Sequence, residues 1–77
     1  MNAELKKIVA DTLGLSEAQI TEDAAMETFT EWDSVAHINI VLSLESRYGL
    51  SFSPDEVLEL GSVKKIQEVL RHHGAAI

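Results

Sequence analysis

A chain of 77 residues with 13 acidic and 6 basic side chains and no cysteine is expected to form one small domain over residues 1–77. At this length only about 60% of the unfolded surface is buried on folding, which leaves one thin core and no deep cleft, so catalysis by the chain alone is disfavoured. The formal charge of -7 speaks against nucleic acid and anionic membrane surfaces as partners, and without cysteine there is no disulfide framework, thiolate nucleophile or cysteine-based metal site.

Leu5, Ile8, Val9, Thr12 and Leu13 fall at helical spacing, opposite Glu4, Lys6, Lys7 and Asp11, and Gly14 follows as a stop. This predicts a first amphipathic helix over residues 3–13. The same stretch carries charge and lacks a long apolar run, so it reads as neither a signal peptide nor a membrane span, and a soluble cytoplasmic monomer is expected. From Leu15 to Asp33 no period emerges, which predicts a long loop with at most one short helical turn. Long loops in small domains are functional or disordered. Ile20, Phe29 and Trp32 argue for order, tucking onto the core and pinning the loop across the domain.

A second helix is expected from Ser34 to Tyr48, stopping at Gly49. Ser53-Pro54-Asp55-Glu56 is a capping box with proline at the first helical position, opening a short third helix over Val57, Leu58 and Leu60 that Gly61 ends. Ser62 caps a last helix with the stripe Val63, Ile66, Val69 and Leu70, closed by Gly74. No strand-like alternation, repeat or low-complexity tract is present. The fold class is therefore all-α: a small four-helix bundle, three longer helices and a short third, with a long first connection.

On a wheel of about 100° per residue the second helix carries two apolar stripes. Ile40, Val41, Leu44 and Tyr48 share one arc, with His37 near its start, while Val35, Ile38 and Leu42 form the other. One stripe is enough to build so small a core. The surplus stripe reads either as packing on a second neighbour or as a partner-facing patch. Just before it, Asp33 and Ser34 are favoured helix-capping residues, which alone would say nothing about chemistry.

Asp33-Ser34-Val35, followed by Ile38, Val41-Leu42, Leu44-Glu45 and Tyr48-Gly49, resembles the Asp-Ser-Leu signature and following helix of the acyl carrier protein family. The likeness extends to the order of elements, the length and the acidic balance. It implies a helical bundle whose serine, here Ser34, takes a 4′-phosphopantetheine arm in phosphodiester linkage, with Asp33 beside it. The arm's thiol would hold acyl groups as thioesters. It also implies a phosphopantetheinyl transferase and acyl-loading and acyl-transfer enzymes as partners, meeting the chain at Val35, Ile38, Asn39, Leu42 and Glu45. The residues agree with this, because a hydroxyl at a loop-to-helix junction is accessible and a phosphate there faces unpaired N–H groups and the positive end of the helix dipole.

A Ser34, His37 and Asp33 hydrolase triad is disfavoured, since Asp33 adjoins the serine and no glycine-rich loop supplies an oxyanion hole. The acids Glu22, Asp23, Glu27, Glu31 and Asp33 lack calcium-loop spacing, so no metal site is expected. Between Lys7 and Arg47 there is no Lys or Arg but eight acids, an electronegative region that suits partners with basic surfaces. Trp32 reads as a packing anchor. An unmodified helical adaptor using Val35, Ile38 and Leu42 is the alternative, and a peptidyl or aminoacyl carrier another.

Two departures bear on the pathway. The second helix has Glu45 as its only acid, and Val35 stands where leucine is usual in the family. Both point away from the general fatty-acid synthesis carrier and towards a discrete carrier for a dedicated lipid, polyketide or related pathway.

Overall fold

The computed structural model describes residues 2–75 and residue 77. Helix α1, Ala3–Leu13, begins where the Asn2 side-chain oxygen accepts the Glu4 and Leu5 N–H groups at 2.9 and 3.1 Å. It ends at Gly14, whose φ of 72° strains any residue with a Cβ although nothing occupies the space a Cβ would fill. Leu5, Val9, Ala10 and Leu13 form its buried stripe.

The loop that follows holds one short 3-10 turn, Glu17–Gln19, in which Gln19 accepts the Ser16 N–H at 3.0 Å. Ile20 and Trp32 are buried as the sequence leads one to expect, while Phe29 is only partly buried against the core. Ala24 is buried too, and its neighbourhood is fastened by main-chain bonds. The Met26 N–H donates to the Gly61 carbonyl and the Val63 N–H to the Ala24 carbonyl, both at 2.9 Å, around an antiparallel bridge between Ala25 and Ser62. A bridge of single residues has no alternation to betray it in the sequence.

Helix α2, Ser34–Tyr48, buries His37, Ile40, Val41 and Leu44, and stops at Gly49. Helix α3, Pro54–Glu59, has the expected capping box but ends before Gly61, because the Leu60 N–H turns back to the Val57 carbonyl at 3.3 Å. Helix α4, Val63–His72, is capped by Ser62 and buries Val63, Ile66, Gln67, Val69 and Leu70. Beyond it, Gly74 takes φ 86° and the Ala75 N–H reaches the Leu70 carbonyl. Among the described residues the architecture is four helices without a strand, packed around Leu5, Val9, Ile40, Leu44, Leu60, Ile66 and Leu70. None of these helices is long and apolar enough to cross a membrane.

Helices α1 and α2 also meet through an exposed Arg47–Glu4 ion pair, which adds little stability in water. Tyr48 lies beside that pair with its hydroxyl buried and, among the described residues, unpartnered. Burial raises its phenol above the usual 10.0, and the nearby Glu4 carboxylate adds to the effect.

Candidate functional site

Asp33 is the cap residue of α2. Its carboxylate accepts the Ala36 N–H at 2.8 Å and its carbonyl accepts the His37 N–H at 2.9 Å, so Ser34 becomes the first residue of the helix. Ser34 is exposed, and among the described residues no hydrogen bond engages its hydroxyl. The N–H groups of Ser34 and Val35 likewise find no acceptor among those residues. An anion attached at Ser34 would meet these free donors and the positive end of a fifteen-residue helix. The residues present therefore fit a phosphodiester at this position.

The surplus stripe of α2 does not pack on a second neighbour. Val35, Ile38 and Leu42 are 72, 50 and 56% exposed, and Asn39 between them is exposed as well. Glu45 differs from the other residues named for this face. It is half-buried, and its carboxylate accepts the Phe52 N–H at 2.8 Å, which ties the α2–α3 connection to the helix. Its charge is thus engaged within the fold.

Leu58 on α3 is the other exposed large apolar side chain among the described residues, at 83%, and it stands apart from Val57 and Leu60. The signal is in the sequence: Val57 and Leu60 are three apart and share a face, and Leu58 lies about 100° from the first and about 160° from the second. Also unforeseen was the connection between Trp32 and His37. Both are buried, the first as an anchor and the second under the loop, and the Trp32 indole N–H donates to His37 Nδ1 at 3.1 Å. Trp32 precedes the cap and His37 is the fourth helical residue. That is the spacing at which residues commonly staple a helix start, and it is legible in the sequence.

Acidic side chains precede the serine in the chain. Glu27, Glu31 and Asp33 are exposed on the loop, while Arg47, the cation nearest to Ser34 in the chain, pairs with Glu4, and Lys64 pairs with Asp23 at 3.5 Å.

A helical bundle with an exposed serine at the start of its second helix has the form that a carrier-type domain requires. The family model described as "Phosphopantetheine attachment site" matches residues 3–70, and the chain belongs to that family of acyl-carrier-type proteins, whose cofactor is 4′-phosphopantetheine. The chain is similar to the acyl carrier protein of Coprothermobacter proteolyticus, with 28% identity over 67 residues that cover 87% of this chain and 82% of the relative.

Proposed function

We propose that Ser34 is the attachment point of the arm and that this protein carries acyl intermediates as thioesters for a dedicated lipid, polyketide or related pathway. The observation that carries the reading is the exposed, unbonded Ser34 hydroxyl on the first residue of α2. In the attachment step the Ser34 oxygen bonds to the phosphorus next to pantetheine in coenzyme A. The bond from that phosphorus to the nucleotide half breaks, and the hydroxyl proton passes to a base of the transferase. Once bound, the group supplies a thiol that forms the acyl thioester.

The chain's own residues do the rest. Asp33 holds the helix start, the free N–H groups of Ser34 and Val35 face the diester, and Val35, Ile38, Asn39 and Leu42 offer a mixed apolar and hydrogen-bonding face to transferase and acyl-transfer enzymes. The chain acts as their substrate and performs no catalysis, working as a cytoplasmic monomer of one domain. With Glu45 held by Phe52, α2 offers no row of free carboxylates, which supports a pathway other than general fatty-acid elongation. Cognate enzymes with basic surfaces then rely on apolar contact with α2 and on the loop acids, and their binding varies little with salt.

The test is intact mass after incubation with coenzyme A, magnesium and a broad-specificity transferase. One phosphopantetheine should add to the wild type and none to Ser34→Ala, whose helix content should be unchanged. A wild type left unmodified by several transferases would favour the adaptor reading.

A further inference from the structure

Besides the Asp33 cap and the burial of Trp32, an imidazole ties the chain segment that delivers Ser34 to α2. Trp32 Nε1 donates to His37 Nδ1 at 3.1 Å, and His37 Nε2 lies 2.8 Å from the carbonyl oxygen of Val57 on α3. An indole N–H can only donate and a carbonyl can only accept. Both bonds coexist in one form alone, the neutral ring with its hydrogen on Nε2. The α3 carbonyl thereby selects the tautomer that leaves Nδ1 free to hold the loop.

Trp32 and His37 occupy the positions that staple a helix start and set the angle at which the chain enters. In an ordinary staple the contact is apolar and non-directional. Here the two rings are nearly parallel, at 28° with centroids 6.3 Å apart, and a hydrogen bond fixes their relative position. Core packing does not demand this arrangement. His37 is only 8% exposed and shares its arc with Ile40, Val41 and Leu44, so an aliphatic side chain would fill the same space but leave the buried Trp32 indole N–H without its acceptor. What the imidazole adds is direction, and the residues it directs flank Ser34 on both sides.

We propose that His37 is a positioning residue for transfer of the arm onto Ser34: by joining Trp32 in the loop to Val57 in α3, it fixes the chain's entry into α2 and with it the aim of the Ser34 hydroxyl. The proposal rests on the reading of Ser34 as the attachment point. The effect belongs in the chemical step, because the exposed side chains Val35, Ile38 and Leu42 make neither hydrogen bond of the relay. A misaimed nucleophile lowers kcat while KM stays near its wild-type value.

The experiment measures arm transfer from coenzyme A by one transferase, with histidine 15N spectra of each variant and thermal unfolding to establish that it is folded at the assay temperature. In the wild type, His37 should show hydrogen on Nε2 and none on Nδ1, with a slowly exchanging Trp32 indole proton. Trp32→Phe removes the indole donor together with part of a buried ring, and His37→Leu removes both bonds; each should lower kcat about tenfold with KM within about twofold. His37→Asn can place an amide oxygen where Nδ1 was and should recover most of the rate. His37→Gln extends towards Val57 instead and should recover little. Wild-type kcat in folded Trp32→Phe and His37→Leu, or hydrogen on Nδ1 in the wild type, would overturn the proposal. A wild type that gains no mass defeats the Ser34 reading itself and the proposal with it, a result distinct from a modified wild type with equally modified variants.

Discussion

Helices α3 and α4 follow one another in the chain and are held in opposite ways. α4 buries five of its residues, Val63, Ile66, Gln67, Val69 and Leu70, whereas no residue of α3 is buried. Beyond the partly buried Val57, α3 is fastened by polar contacts, the Val57 carbonyl to His37 and the Glu56 carboxylate to His73 at 2.7 Å, and its start is closed by the Ser53–Glu56 capping box. Only Leu60, just past its end, is fully buried beside it. Six residues make less than two turns, too few for a stripe of apolar side chains and too few for a helix stable in isolation. Apolar area roots α4, while a few directional bonds place α3. Such an element can be released locally while the rest of the fold stands, and it adjoins the start of α2 where Ser34 is presented.

The contrast is tested most severely in α4. Leu70→Ala empties a site that is 0% exposed and should cost about 2–5 kcal/mol, enough to unfold much of a domain this small; denaturant unfolding measures it. A loss under about 1 kcal/mol would mean that α4 is not rooted by its stripe.

Comparison of the two caps comes next in size. Ser62→Ala removes the acceptor of the Lys65 N–H, and Ser53→Ala that of the Glu56 N–H. Each should weaken its own helix by about 1 kcal/mol. In global unfolding only the α4 cap should register in full, because α3 can fray before the core opens. Amide exchange should show Ser53→Ala raising exchange in residues 54–59 with α4 unaffected. Equal shifts in the unfolding midpoint would place both helices in one cooperative unit.

Acid should separate the helices further. Glu56 has its carboxyl held below the usual 4.5, first by the Ser53 N–H and then by His73. Since the folded-state value is lowered, the stabilisation is present above pH 4.5 and is lost as pH falls through the lower folded value. Exchange in residues 54–59 should therefore accelerate in that acid range before exchange in α4 does, and Glu56→Gln should remove most of the difference.

The smallest effect on stability is expected at Leu58. With 83% of the side chain exposed, Leu58→Ala should change the unfolding free energy by no more than about 0.5 kcal/mol. A larger loss would show that α3 is anchored through this side chain after all.

Much of this was legible in the chain. The stripes of α1 and α4, the capping serines, and the glycines at positions 14 and 49 are local patterns whose physics acts within one helical turn, and the structure reproduces them. The exposed stripe Val35, Ile38 and Leu42 was readable as well, because one helix carried more apolar surface than one small core can take. Other features arose only when distant segments met. The Ala24–Val63 and Met26–Gly61 main-chain bonds carry no side-chain signature, and neither does the bond from the Phe52 N–H to the Glu45 carboxylate. The tautomer of His37 depends on a carbonyl twenty residues away. Hydrophobic periodicity records which face of a helix is turned inward. Which donor meets which acceptor across the core is fixed by distances between elements, and those come into being only when the chain packs.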